Sequence, residues 1–171
     1  MARVTEQQLR SVVDQYGRSL ILLARQWCNS PDDALQESLI DLARLAELPE
    51  NPVAWLFRVV RNKAISQARS ERRRDGYQQA AAEQRQGWFE SDPSVGLDGE
   101  RVARLLESLP EMERQIITCR VWGQLSFAEI AQLVDRPVAN VFRTYRATLL
   151  KLREQLGLAD KQPKQTKTTF S

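Results

Sequence analysis

Apolar residues recur at three- and four-residue steps through most of the chain, and no stretch keeps the two-residue alternation of a strand. Leu9, Val12, Val13, Tyr16, Leu20, Leu23 and Trp27 form one stripe and predict a first helix. Ser30-Pro31-Asp32-Asp33 then supplies a capping residue, a proline at the first helical position and acids in the first turn. The second helix carries Leu35, Leu39, Leu42 and Leu45 and is expected to end at Pro49. Asn51-Pro52 repeats the cap-and-proline device. It opens a third helix, which carries Val53, Leu56, Phe57, Val60, Ala64 and Ala68 into the run Arg69-Ser70-Glu71-Arg72-Arg73-Arg74.

The carboxyl-terminal half repeats the theme with shorter pieces. Val102, Leu105, Leu106 and Leu109 mark a short helix that stops at Pro110, and another runs from Glu111 to Trp122 before Gly123. Ser126-Phe127-Ala128-Glu129 reads as a capping box, in which the serine oxygen takes the amide three residues on and the glutamate returns to the serine amide. The short helix it opens buries Ile130, Ala131, Leu133 and Val134. Asp135-Arg136-Pro137 is a tight turn, with Pro137 placed to begin the last helix. The stripe Val138, Val141, Phe142, Tyr145, Leu149, Leu152 and Leu156 makes that helix long. A short capped helix, a three-residue turn and a longer helix form the helix-turn-helix pattern.

Charge divides the chain more clearly than hydropathy. Over 171 residues the net charge is only +3. Residues 1–75 hold 12 basic and 10 acidic side chains, residues 76–99 hold 1 and 4, and residues 100–171 hold 12 and 8. The acidic middle also contains Gly76, Gly87, Pro93, Gly96 and Gly99, which gives it the character of a linker. The expected architecture is therefore all-α: a helical module over 1–75, a flexible acidic linker over 76–99, and a helix-turn-helix module over 100–158. The Lys-, Gln- and Thr-rich residues 159–171 read as a disordered tail.

Candidate chemistry narrows by elimination. Histidine is absent, which removes the commonest general base and zinc ligand. Cys28 and Cys119 are isolated from one another and are expected in the core. Neither G-x-x-x-x-G-K-[ST] nor G-x-G-x-x-G occurs. An enzyme is disfavoured, and no cofactor or metal is implied. The longest apolar runs, Leu20 to Ala24 among them, fall far short of the roughly 20 residues that span a bilayer. No signal peptide is evident, so no membrane insertion and a reducing, cytoplasmic setting are expected.

Nucleic-acid binding fits better. Opposite its apolar stripe the last helix offers Ala139, Asn140, Arg143, Thr144, Arg146 and Ala147. Small and polar residues let a helix lie deep in a major groove, where Asn pairs with adenine and Arg with guanine or phosphate. The plain alternative is a solvated face. Helix three has seven basic residues between Arg58 and Arg74 against one acid, Glu71, and interleaves Arg58, Arg61 and Lys63 with Trp55, Phe57 and Asn62. Cations beside an aromatic suit melting DNA, although Trp55 also suits a core. Asp33, Gln36 and Glu37 form an outward polar face on helix two, and Trp88 and Phe89 in the linker suit either docking or packing.

These segments together resemble a known family. Asp33-Ala34-Leu35-Gln36-Glu37, then Pro52-Val53-Ala54-Trp55-Leu56-Phe57-Arg58-Val59-Val60-Arg61-Asn62-Lys63-Ala64-Ile65 and a basic run, resembles the first module of extracytoplasmic-function (ECF) sigma factors. Leu109-Pro110-Glu111-Met112-Glu113-Arg114-Gln115, with Leu125-Ser126-Phe127-Ala128-Glu129-Ile130-Ala131 and Pro137-Val138, resembles the second. The resemblance covers most of residues 10–156. It implies a dissociable specificity subunit of bacterial RNA polymerase. Asp33, Gln36 and Glu37 would dock on the polymerase clamp, and Trp55, Arg58, Arg61, Asn62 and Lys63 would open the minus-ten element. Arg136, Asn140, Arg143, Thr144 and Arg146 would face the minus-thirty-five duplex. Core polymerase and promoter DNA are the implied partners, and the family admits an anti-sigma factor as a third.

This chain also departs from the family pattern. The stretch from Gln36 to Trp55 is a few residues short, so no single base-capturing residue is assigned there. Asp135-Arg136 stands where relatives place Gly and an aliphatic residue. Ala139-Asn140 and Phe142-Arg143 replace the usual Gly-Thr and Lys-Ser. These changes are expected to shift sequence preference. A stand-alone helix-turn-helix regulator and a helical adaptor that binds only protein are the rival readings.

Overall fold

In a computed structural model the described residues, 3–75, 101 and 104–157, form helices and no strand. The first module comprises α1 (Glu6–Ala24), α2 (Pro31–Arg44) and α3 (Pro52–Asp75). A helical segment described over residues 104–108 (α4) precedes α5 (Glu111–Val121), α6 (Phe127–Val134) and α7 (Val138–Gln155). The acidic linker, Trp88 and Phe89, and the tail from 158 onward lie outside the described residues.

Local chemistry explains most boundaries. Thr5 and Gln8 form a capping box on α1 and Ser126 and Glu129 another on α6, each satisfying amides that a helix start leaves without partners. Asn51 caps α3, its Oδ1 accepting from the Ala54 amide at 3.0 Å. At α2 the proline sits at the helix start as expected, but the Ser30 side chain makes no capping bond. That helix also stops at Arg44 rather than at Pro49. Leu45 is extended (ψ 136°), which turns the chain so that Leu45 and Leu48 pack against the core instead of continuing a solvent-facing helix. The final helix begins at Val138, with Pro137 as the residue before it.

The described helices of the two modules pack against each other. Leu20, Leu23, Leu42, Leu56, Phe57, Val60 and Ala64 of the first share one buried cluster with Ile116, Cys119, Ile130 and Val141 of the second. A smaller cluster joins Leu22 of α1 to Leu106, Leu109 and Ile117. Helix α1 therefore buries a second face beside its stripe, made by Ser19 and Leu22, and Gln26 just after the helix is buried too. The Ser19 hydroxyl donates to the Trp122 carbonyl at 2.9 Å. Five consecutive residues of α5, Gln115 to Cys119, are buried because that helix is enclosed by both modules. Gly123 is required at the seam: a Cβ there would lie 2.8 Å from the Phe57 ring and 2.7 Å from the Cys119 carbonyl oxygen.

Candidate nucleic-acid interface

Helix α3 sends its cations in three directions. Arg58, Asn62, Arg69 and Arg73 are exposed at intervals of four, seven and four residues, so they line one outward stripe. Trp55, partly buried against the core, and Arg58 also line a cleft of about 590 Å³, with Asn51, Glu129 and Gln132 on its other walls. Lys63 leans on α2, 2.8 Å from Asp41 and 3.6 Å from Glu37. Its ammonium pKa is raised, chiefly by the hydrogen bond to Asp41. Arg61 points to the second module. It donates to Gln115 Oε1 at 2.9 Å and lies 5.6 Å over the Trp27 ring. Burial lowers its pKa, and the nearby Glu111 carboxylate opposes that.

These contacts form a polar network across the seam. Trp27 Nε1 donates to Glu111 Oε1 at 2.8 Å, and Gln115 Nε2 donates to the same oxygen at 3.3 Å. Asn51, which caps α3, also donates to Glu129, so the caps of α3 and α6 are tied together. The five residues assigned to promoter opening are thus divided between the exposed stripe, the cleft, the seam and a pair of intramodular ion pairs. Arg69 and Arg73 extend the exposed stripe. Their signal in the sequence is the basic run, which by itself does not say which of its members face outward.

The recognition helix is more open. Arg136, Asn140, Arg143 and Arg146 are exposed, and the Arg143 guanidinium donates to Asn140 Oδ1 at 2.7 Å. Thr144 is turned partly inward, with its carbonyl accepting from the buried Thr148 hydroxyl at 2.8 Å. Two residues of the expected inward stripe face solvent instead. Val138 is 47% and Phe142 43% exposed, while Val141 and Thr148 take the buried positions of this helix. The turn before the helix places Asp135 in the left-handed region (φ 53°), where glycine is the ordinary occupant. That geometry lets the Arg136 amide bond the Ala131 carbonyl at 3.1 Å and close α6.

On α2, Asp33, Gln36 and Glu37 share an exposed face, as the spacing predicted. Ile40, 48% exposed, sits in the middle of that face and off the leucine stripe. An apolar residue within a polar patch is a docking signal that the acids alone did not carry. Both cysteines are buried in the core, as expected.

Fold and surfaces define a two-module, all-helical chain with an exposed cationic helix in each module. Residues 12–74 match the family model for sigma-70 region 2, and residues 99–152 the one for sigma-70, region 4. The ECF RNA polymerase sigma factor SigK of Mycolicibacterium vanbaalenii is 30% identical over 118 residues, covering 63% of this chain and 57% of that protein. SigK of Mycobacterium ulcerans is 24% identical over 133 residues, covering 73% and 71%. The chain thus spans little more than half the length of the first of these relatives. Among solved structures, RpoE of Bartonella quintana in complex with the anti-sigma factor NepR superposes with a TM-score of 0.70 at 17% identity. That match covers 90% of this chain and 99% of RpoE. CnrH in complex with the cytosolic domain of CnrY gives 0.59 at 22% identity, over 91% of each chain. The chain belongs to the sigma-70 family, in its ECF sigma factor group.

Proposed function

We propose that this chain is the promoter-specificity subunit of a bacterial RNA polymerase, carrying no chemistry of its own and needing no cofactor. The observation that carries the reading is the presence in one chain of two exposed cationic helices, one in each sigma module. Residues 1–75 and 100–158 are the two working modules, and 76–99 is the linker between them. The face of Asp33, Gln36, Glu37 and Ile40 docks on the polymerase. The Arg58–Asn62–Arg69–Arg73 stripe, with Trp55 at its edge, holds the minus-ten element as it opens. Arg136, Asn140, Arg143 and Arg146 face the minus-thirty-five duplex, with Thr144 at their border.

The mechanism is differential binding. A complex that holds the opened element more tightly than the duplex shifts the equilibrium towards opening by the difference in affinity. In the closed arrangement Arg61 is engaged by Gln115 and Trp27. Moving the modules apart on polymerase frees it for DNA. An anti-sigma factor, the partner held by RpoE in its solved complex, is proposed for this chain on that likeness. The setting is the bacterial cytoplasm. No described helix is long and apolar enough to cross a membrane.

The test is co-purification with bacterial core polymerase, followed by transcription from a randomised promoter library. Stoichiometric binding and an enriched pair of elements at fixed spacing are expected. Tight binding to palindromic DNA without polymerase would establish a stand-alone regulator instead. Binding to neither would leave a protein-only adaptor.

A further inference from the structure

The recognition helix carries an apolar ridge that the family resemblance does not account for. Val138 and Phe142 lie one turn apart and are 47% and 43% exposed. Ala139 is exposed beside them. A buried core would have covered these groups, and the core nearby is complete without them, since Val141 is 1% exposed.

The ring of Phe142 is nevertheless held in place. It packs edge-on against Phe127, with centroids 5.3 Å apart and planes at 89°. The Arg146 guanidinium lies 5.8 Å from the Phe142 centroid. One side of the ring is thus anchored on α6 while the residue stays exposed beside the Arg146 guanidinium, on a helix that also exposes Arg143 and follows the exposed Arg136. A positioned apolar group among cations suits one feature of a polyanionic duplex, the thymine methyl in the major groove, which apolar side chains contact. The cations fix the helix on phosphates and on guanine, and the ridge reads what they leave unread.

We propose that Phe142, with Val138 one turn earlier, is a specificity-determining residue that selects thymine through its 5-methyl group in the upstream promoter element. The inference rests on the sigma-factor reading and adds to it a named contact. It gives the substitution of Phe142-Arg143 for the usual pair a physical consequence.

The experiment uses the full chain bound to core polymerase, on a promoter selected from the randomised library. Each thymine of the upstream element, on either strand, is replaced in turn by deoxyuridine, which removes the methyl and leaves the Watson–Crick edge intact. At one or two positions initiation is expected to fall about fourfold, the worth of one buried methyl. In Phe142→Ala the thymine and deoxyuridine templates become equivalent at those positions, while preferences set by Arg143 remain. Because Phe142 also packs on Phe127, the wild-type protein on deoxyuridine templates supplies a test that needs no variant. An upstream element with no thymine-to-deoxyuridine difference at any position overturns the proposal while leaving the sigma-factor reading standing. So does a thymine preference that persists unchanged in Phe142→Ala, since another residue would then read the methyl. Failure to initiate from any promoter overturns both.

Discussion

Placing a methyl group at Gly123 tests whether the two modules share a core. The ideal Cβ of Gly123→Ala would lie 2.8 Å from Cε1 and Cζ of Phe57. Carbon atoms prefer roughly 3.5–4.0 Å, so the overlap is about an ångström. Phe57 is 0% exposed and packs edge-on with Tyr16, with ring centroids 6.4 Å apart, so its ring has no open space to enter. Overpacking of this kind costs about 1–3 kcal/mol, and each kcal/mol lowers Tm by roughly 2–4 °C in a chain of this size. Part of that strain lies within the second module, because the methyl also meets the Cys119 carbonyl oxygen at 2.7 Å. A double-mutant cycle with Phe57→Leu separates the two contributions, since leucine lacks the ε and ζ carbons. Urea unfolding of the four proteins is expected to show Gly123→Ala costing less in the Phe57→Leu background, with a coupling of about 0.5 kcal/mol or more. Additivity within about 0.3 kcal/mol would refute the packing of Phe57 against Gly123, and with it the shared core.

Other consequences are equally specific. Arg143→Ala should weaken initiation at the preferred promoter by about 1–3 kcal/mol if Arg143 reads a base, and an unchanged promoter ranking would remove it from the reading set. Replacing Gln36 and Glu37 with Ala should lower affinity for core polymerase while leaving the helical circular dichroism unchanged; retained affinity would mean that the docking face lies elsewhere. Complete burial pushes the Cys119 thiol up to about 12 from 9.0. The unfolded chain therefore loses this proton first as pH rises, so stability should fall between about pH 9 and 12, at up to about 1.4 kcal/mol per pH unit from this group. Urea midpoints at pH 8 and pH 10 should differ less in Cys119→Ala than in the parent protein, and an equal difference would place the thiol outside the core.

Much of the fold was legible because local signals and apolar periodicity agreed. The Ser126–Glu129 box, the Asn51-Pro52 start and the stripe of α6 all appear in the structure as the spacing predicted. What stayed illegible depends on neighbours distant in sequence. Ser19 and Leu22 are off the stripe of α1 and are buried only because α5 lies there. The division of Arg58, Arg61 and Lys63 among solvent, seam and ion pair is set by which helix each meets, and a run of cations carries no such information. Val138 and Phe142 fit a helical stripe, yet they stay outside the core, which Val141 and Thr148 enter instead. The early end of α2 follows from a turn at Leu45 that no glycine or proline marks.

The central claim is that two helical modules of one chain engage two promoter elements at once when carried by polymerase. Permanganate footprinting on a promoter from the library, with the spacer varied one base pair at a time, tests it most directly. Reactive thymines should appear in the downstream element only when core polymerase and this chain are both present. The signal should peak at one spacing and vanish when the spacer grows by half a helical turn, about 5 base pairs. Melting that ignores the spacing, or that occurs without this chain, would contradict the account.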